Sequence, residues 1–163
     1  MVAFNINGPD QAAVAQAQEN TFHCPAILDS RYVPTPYAIM NLLTLFSLRK
    51  LGRNNRKTYR YVYAGNFSNI SPASWLGAYH SAELPMLFGT HPNFRGNSTN
   101  AEYAVSAAMQ DAWYAFISDP VNGLEKTGWQ EWTKEAPMVR YFGANGTIAS
   151  NVVDNESGCQ GYT

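Results

Sequence analysis

Trp75-Leu-Gly-Ala-Tyr-His-Ser-Ala-Glu-Leu-Pro-Met-Leu-Phe-Gly-Thr90 sets a single histidine, His80, in a turn between glycine-punctuated apolar runs. On its N-terminal side, residues 65–77 are rich in Asn, Ser, Pro and Gly and read as loop. Before that, Lys57-Thr-Tyr-Arg-Tyr-Val-Tyr-Ala64 alternates aromatic and β-branched residues with others, which predicts a strand. On the C-terminal side, Leu84 to Phe88 is short and apolar, and Gly89 to Gly96 is loop again. A helix is expected over Asn100 to Ser118. Thr99 with Glu102 three residues on forms a capping box, and Asp119-Pro120 stops the helix. Ala101, Val105, Ala108, Met109, Ala112, Trp113 and Phe116 recur with the helical period and give it one apolar face. Trp129 and Trp132 precede a strand-like run, Pro137 to Phe142.

Further out, Pro9 to Glu19 reads as a short alanine-rich helix. Pro36 to Leu51 reads as a helix that ends at Gly52 with Arg49 and Lys50 in its last turn. Helices interleaved with strands place the chain in the α/β class, helix-rich with few strands. Two strands do not make a self-sufficient sheet, because their outer edges leave unpaired backbone groups. The expectation is a single partial domain, 1–163, belonging to a larger fold.

The chain has the length of one domain and can bury a real core. Its formal net charge of -1, from 11 basic and 12 acidic residues, gives no footing for nucleic acid or an acidic membrane surface. The longest apolar run, Tyr37 to Leu51, is interrupted by Asn41, Thr44, Ser47, Arg49 and Lys50. It is short of the roughly 20 apolar residues that cross a bilayer. Asn-x-Ser/Thr sequons start at Asn66, Asn69, Asn97, Asn145 and Asn155, where composition alone predicts about two. That excess points to a glycosylated, secreted protein. Met1 to Asp10 carries no basic region and no apolar core of a signal peptide, so the natural N-terminus is expected further upstream.

Read from the residues alone, His80 has three meanings: a hydrogen-bonded loop residue, a proton carrier or, with Glu83, a metal ligand. A proton-carrying histidine commonly works with a serine nucleophile on a strand-to-helix elbow and a carboxylate that orients the imidazole. The chain has no Gly-x-Ser-x-Gly and no His-Glu-x-x-His. His80 and Glu83 are spaced to share a metal, but no third ligand is apparent. Only Asp10, Glu19 and Asp29 are carboxylates before His80. His23 and His91 read as ordinary loop residues.

Several segments, in order, resemble fungal-type members of the type-B carboxylesterase family, the cholinesterase-like branch of the α/β-hydrolases. They are Phe22-His-Cys-Pro-Ala26, Tyr59-Arg-Tyr-Val-Tyr63, Gly77-Ala-Tyr-His80, Leu84-Pro-Met-Leu-Phe-Gly-Thr90, Ala112-Trp-Tyr-Ala-Phe-Ile-Ser-Asp119 and Phe142-Gly-Ala-Asn-Gly146. The resemblance implies the C-terminal part of an α/β-hydrolase acting on small-molecule esters, with no metal or organic cofactor. It implies that His80 is the general base of a Ser-acid-His triad whose serine and acid lie upstream. It implies that Glu83 orders the histidine loop and that Trp75 lines an acyl or alcohol pocket; plain core packing is an equal reading of Trp75. Ser81 departs from the glycine common after the family's histidine. The resemblance also pairs Cys24 with Cys159 in a disulfide, against the alternative of two free thiols. Cholinesterase-like domains without a working triad serve as binding modules, which is the second functional expectation, beside a truncated inactive product.

Residues 32–51 resemble nothing in the family. Arg31-Tyr32-Val33 can be encoded with a splice-donor sequence, so this stretch is either a retained in-frame intron or a lineage-specific insertion.

Overall fold

A computed structural model describes residues 4–5, 8–9, 12, 24–25, 57–73, 75–154 and 159. The chain divides into two compact units, Met1–Arg56 with Asn155–Thr163, and Lys57–Asp154.

In the first unit, β1 (Phe4–Asn5) pairs antiparallel with β2 (Gly8–Pro9), Phe4 opposite Pro9 and Asn5 opposite Gly8. Pro9, expected to open a helix, is a strand residue here. Ala12 is helical, while the rest of the helix expected to Glu19 and the helix expected over Pro36 to Leu51 lie outside the described residues. Cys24 and Cys159 are both buried and joined by a disulfide, with Cα atoms 5.4 Å apart.

The second unit holds β3 (Tyr61–Tyr63), α1 (Leu84–Leu87), α2 (Asn100–Ser118), α3 (Gly123–Lys126), β4 (Met138–Phe142) and β5 (Ala149–Val153). The sheet order is β3-β4-β5. β3 runs parallel to β4 with Tyr61, Val62 and Tyr63 opposite Arg140, Tyr141 and Phe142. β5 returns antiparallel to β4, from Phe142 opposite Ala149 to Met138 opposite Val153. The return is made at Gly143, φ +77°, whose backbone lies so close to Gly65 that an added Cβ would sit 2.9 Å from the Gly65 Cα. Only a residue without a side chain fits both demands.

α2 forms where the capping box predicts it. The Thr99 hydroxyl accepts from the Glu102 amide at 3.3 Å, and the Glu102 carboxylate accepts from the Thr99 amide at 2.6 Å. Its end is set by Asp119, which Pro120 holds out of the helical region (φ -143°, ψ 84°). Val105, Met109 and Ala112 bury the central part of its apolar face, and Ala108 and Trp113 are half-buried. Ala101 and Phe116, expected on the same face, are exposed. The core is completed by Ile70, Ala82, Met86, Leu124, Trp129 and Phe142. Trp129 and Phe142 meet edge-on at 5.6 Å, and Tyr61 meets Trp113 at 5.0 Å. A buried ion pair, Arg60 to Asp154 at 2.9 Å, ties the approach to β3 to the residue after β5, and the Arg60 guanidinium lies 3.9 Å over the Trp132 ring.

Candidate active site

The histidine segment is a run of overlapping turns that leads into α1. Ala82 N–H donates to Tyr79 C=O at 2.9 Å, and Leu84 N–H donates to Ser81 C=O at 3.2 Å. His80 stands in the first of these turns and is exposed. Ser81 has φ +71°, the left-handed region. A glycine meets that demand without steric cost, which gives a physical reason for glycine in this place and marks Ser81 as a tolerated but strained choice.

Glu83 is half-buried and starts α1; its carbonyl accepts from the Met86 and Leu87 amides at 3.0 and 2.9 Å. Met86 is fully buried, and its carbonyl accepts from the Ser106 hydroxyl at 2.6 Å, fixing α1 on α2. The sequence around the histidine is therefore anchored on its C-terminal side by a buried methionine and a helix-borne serine. Trp75, on the N-terminal side, is 42% exposed, so it is not a core residue of this unit.

Two strand tyrosines feel the Glu83 carboxylate. Burial raises the Tyr61 phenol above its ordinary value, and Glu83 adds to the shift. Burial likewise raises the Tyr63 phenol strongly, with Glu102, Glu83 and Tyr79 contributing in that order. The Tyr63 phenol and the second oxygen of Glu102 are both buried without a hydrogen bond. Sequence reasoning saw Glu102 only as a cap. The spacing that reveals a capping box says nothing of where the second oxygen goes.

The second histidine of the segment, His91, is buried at 1% exposure. Its Nδ1 is hydrogen-bonded to the Ser98 hydroxyl at 2.7 Å, and its ring meets Tyr103 edge-on at 4.8 Å. Burial lowers its pKa, against the opposing pull of Glu102. The expected ordinary loop residue is thus a packed interior group, in a 3-10 turn over His91–Asn93. His23 lies outside the described residues.

Among the sequons, Asn66, Asn97 and Asn145 are exposed, Asn69 is 6% exposed, and Asn155 lies outside the described residues. A depression of about 340 Å³ lies between the ends of β3 and β4 and the start of α2, lined by Ala64, Phe67, Val105, Gly143, Thr147 and Ile148 among others. His80, Glu83 and Trp75 are not part of it. Among the described residues, no three His, Cys, Asp or Glu side chains cluster as a metal site. No helix among them is long and apolar enough to cross a membrane.

Parts of the chain are similar to known esterases. The chain is 62% identical over 69 residues to a chlorogenic acid esterase of Aspergillus niger, covering 42% of this chain and 14% of that protein. It is 54% identical over 86 residues to secreted lipase 5 of Gibberella zeae, covering 53% of this chain and 16% of that protein. An acetylcholinesterase of Bungarus fasciatus is 30% identical over 89 residues, covering 53% of this chain and 15% of that protein. The matched part thus spans about a sixth or less of each relative's length. No solved structure matches. The carboxylesterase family model matches residues 34–158, which take in the histidine turn, both longer strands and all of α2. By that match the chain belongs to the carboxylesterase family.

Proposed function

We propose that this chain is the C-terminal part of a secreted carboxylic-ester hydrolase of α/β-hydrolase fold, and that His80 is the general base of its Ser-acid-His triad. The observation that carries the reading is the exposed imidazole in a fixed turn, inside the span matched by the family model. In the whole enzyme, His80 would take the proton of the attacking serine and later pass it to the leaving alcohol; water then resolves the acyl-enzyme. Glu83, half-buried at the start of α1, would hold the turn's C-terminal side. Trp75, two-fifths exposed, would face the substrate's acyl or alcohol group. The substrates are small-molecule esters, with neither nucleic acid nor membrane as a partner, and no cofactor is required. Secretion is supported by the sequon excess, by the Cys24–Cys159 disulfide and by the name of the Gibberella relative. Residues 32–51 are proposed to be an insertion or a retained intron; sequencing the mature transcript separates the two.

The triad's serine and acid are proposed to lie on sequence upstream of these 163 residues. The test is hydrolysis of p-nitrophenyl acetate by the purified chain and by its His80→Ala variant. Negligible triad-type turnover by both is expected. Robust turnover abolished by His80→Ala would overturn the split of the triad. Genomic sequence upstream that encodes a Gly-x-Ser-x-Gly elbow in frame would support the enzyme reading. A second reading is a non-catalytic binding module of the same family, which upstream sequence without that elbow would favour.

A further inference from the structure

The sequon Asn69-Ile70-Ser71 differs from its neighbours in being buried at all three residues, with 6%, 1% and 6% exposure. Both atoms that an N-glycan acceptor must present are engaged inside the fold. Nδ2 of Asn69, the atom that carries a glycan, donates to the Ser98 hydroxyl at 3.3 Å, and that hydroxyl in turn holds His91 Nδ1 at 2.7 Å. The Ser71 hydroxyl donates to the Gly77 carbonyl. Between them, the Ile70 carbonyl accepts from Arg95 at 2.9 Å and from the Tyr79 hydroxyl at 3.3 Å. The amides of Ile70 and Ser71 both donate to the Phe67 carbonyl, at 3.0 and 2.8 Å.

Two of these bonds land on the N-terminal arm of the histidine turn. Gly77 and Tyr79 lie three and one residues before His80. Gly77 has φ +53° and open space where a side chain would stand, so its own sterics restrain it little. The Ser71 hydroxyl supplies the restraint that glycine lacks. On the other arm, Met86 and Ser106 do the same work.

We propose that Asn69-Ile70-Ser71 is a positioning element for the histidine turn and not a glycan acceptor, and that N-glycans go to the exposed Asn66, Asn97 and Asn145. A sugar on Asn69 needs Nδ2 turned into solvent. That movement breaks the Asn69–Ser98 bond and draws Ser71 from Gly77, leaving buried polar groups without partners. A chain glycosylated at Asn69 before folding cannot close this bracket and is lost from the folded population. What the positioned imidazole does rests on the ester-hydrolase reading; the bracket itself does not.

The first test maps N-glycan sites by mass spectrometry on the full chain secreted in soluble form from a eukaryotic host. Asn69 is expected to carry at least about tenfold less glycan than Asn66, the factor by which losing one buried hydrogen bond disfavours folding of the modified chain. Occupancy at Asn69 comparable to that at Asn66 overturns the proposal. The second test follows the histidine ring resonances by NMR in the unglycosylated chain. Ser71→Ala is expected to shift the His80 ring signals and leave those of His91 in place, and Ser71→Thr, which keeps the hydroxyl, is expected to restore them. A His80 signal indifferent to Ser71→Ala overturns the positioning role. Should Ser71→Ala fail to fold, the glycan map of the unaltered chain still decides. Neither readout needs catalytic turnover, so both stand if the ester-hydrolase reading fails.

Discussion

His80 and His91 are eleven residues apart, each alone in a loop-like stretch, and the fold treats them in opposite ways. His80 is held out on a turn whose two arms are hydrogen-bonded from below, by Ser71 on one side and Ser106 on the other. His91 is packed inside, bonded to Ser98 and edge-on to Tyr103. A proton carrier must meet its partner from outside the fold while its backbone stays still. A structural imidazole must be satisfied in place and kept neutral. The difference teaches that exposure, not the presence of a histidine, separates a candidate catalyst from a core residue.

The strongest way to break this comparison is to delete each imidazole in turn. His91→Ala removes a buried ring from Tyr103 and takes one of two partners from the Ser98 hydroxyl, so a loss of about 2–4 kcal/mol in urea unfolding is expected. His80→Ala, on an exposed turn, is expected to cost less than His91→Ala. Equal losses would erase the distinction between the two sites.

Acid sharpens the same contrast. Burial holds the folded-state pKa of His91 below the ordinary 6.5. Below that pH the unfolded chain therefore binds a proton that the folded chain refuses. The stability contributed by neutral His91 is fully present above 6.5. It falls as pH drops through 6.5, by at most about 1.4 kcal/mol per pH unit, and levels off once pH passes the folded value. Comparing unfolding free energies of the unaltered chain and His91→Gln between pH 8 and 5 isolates this contribution, since other groups cancel. Parallel curves would show that His91 is not a desolvated base.

The sequence made parts of this structure legible and concealed others for physical reasons. α2 could be read because its signals are local: a capping box at Thr99 and Glu102, an apolar period through Val105, Met109 and Ala112, and Pro120 as a stop. β4 could be read from its apolar run. β5 could not, since Ala149-Ser-Asn-Val-Val153 has no clear alternation and becomes a strand through its pairing with β4. α1 and α3 are single turns of four residues, too short to leave a period. At the site, resemblance singled out His80, Glu83 and Trp75, which lie in one stretch of sequence. The roles of Ser71, Asn69 and Ser106 were invisible because each bond spans the chain to a backbone or hydroxyl partner that no local pattern encodes. Burial of His91 was hidden for the same reason.

The smallest expected effect lies inside the histidine turn itself. Ser81, at φ +71°, sits in a conformation that costs an L-residue about 1–2 kcal/mol and glycine almost nothing. Ser81→Gly removes that strain but gives back part of the gain as unfolded-chain entropy, about 0.5–1 kcal/mol. A net stabilisation of about 0.5 kcal/mol is expected, seen as a rise in Tm of a few degrees at most. The same substitution at a residue with negative φ would lower Tm, so the sign alone reports the backbone conformation beside His80. A fall in Tm for Ser81→Gly would show that the turn adopts another conformation in solution. The rigid outer site set against the packed inner one would then lose its structural basis.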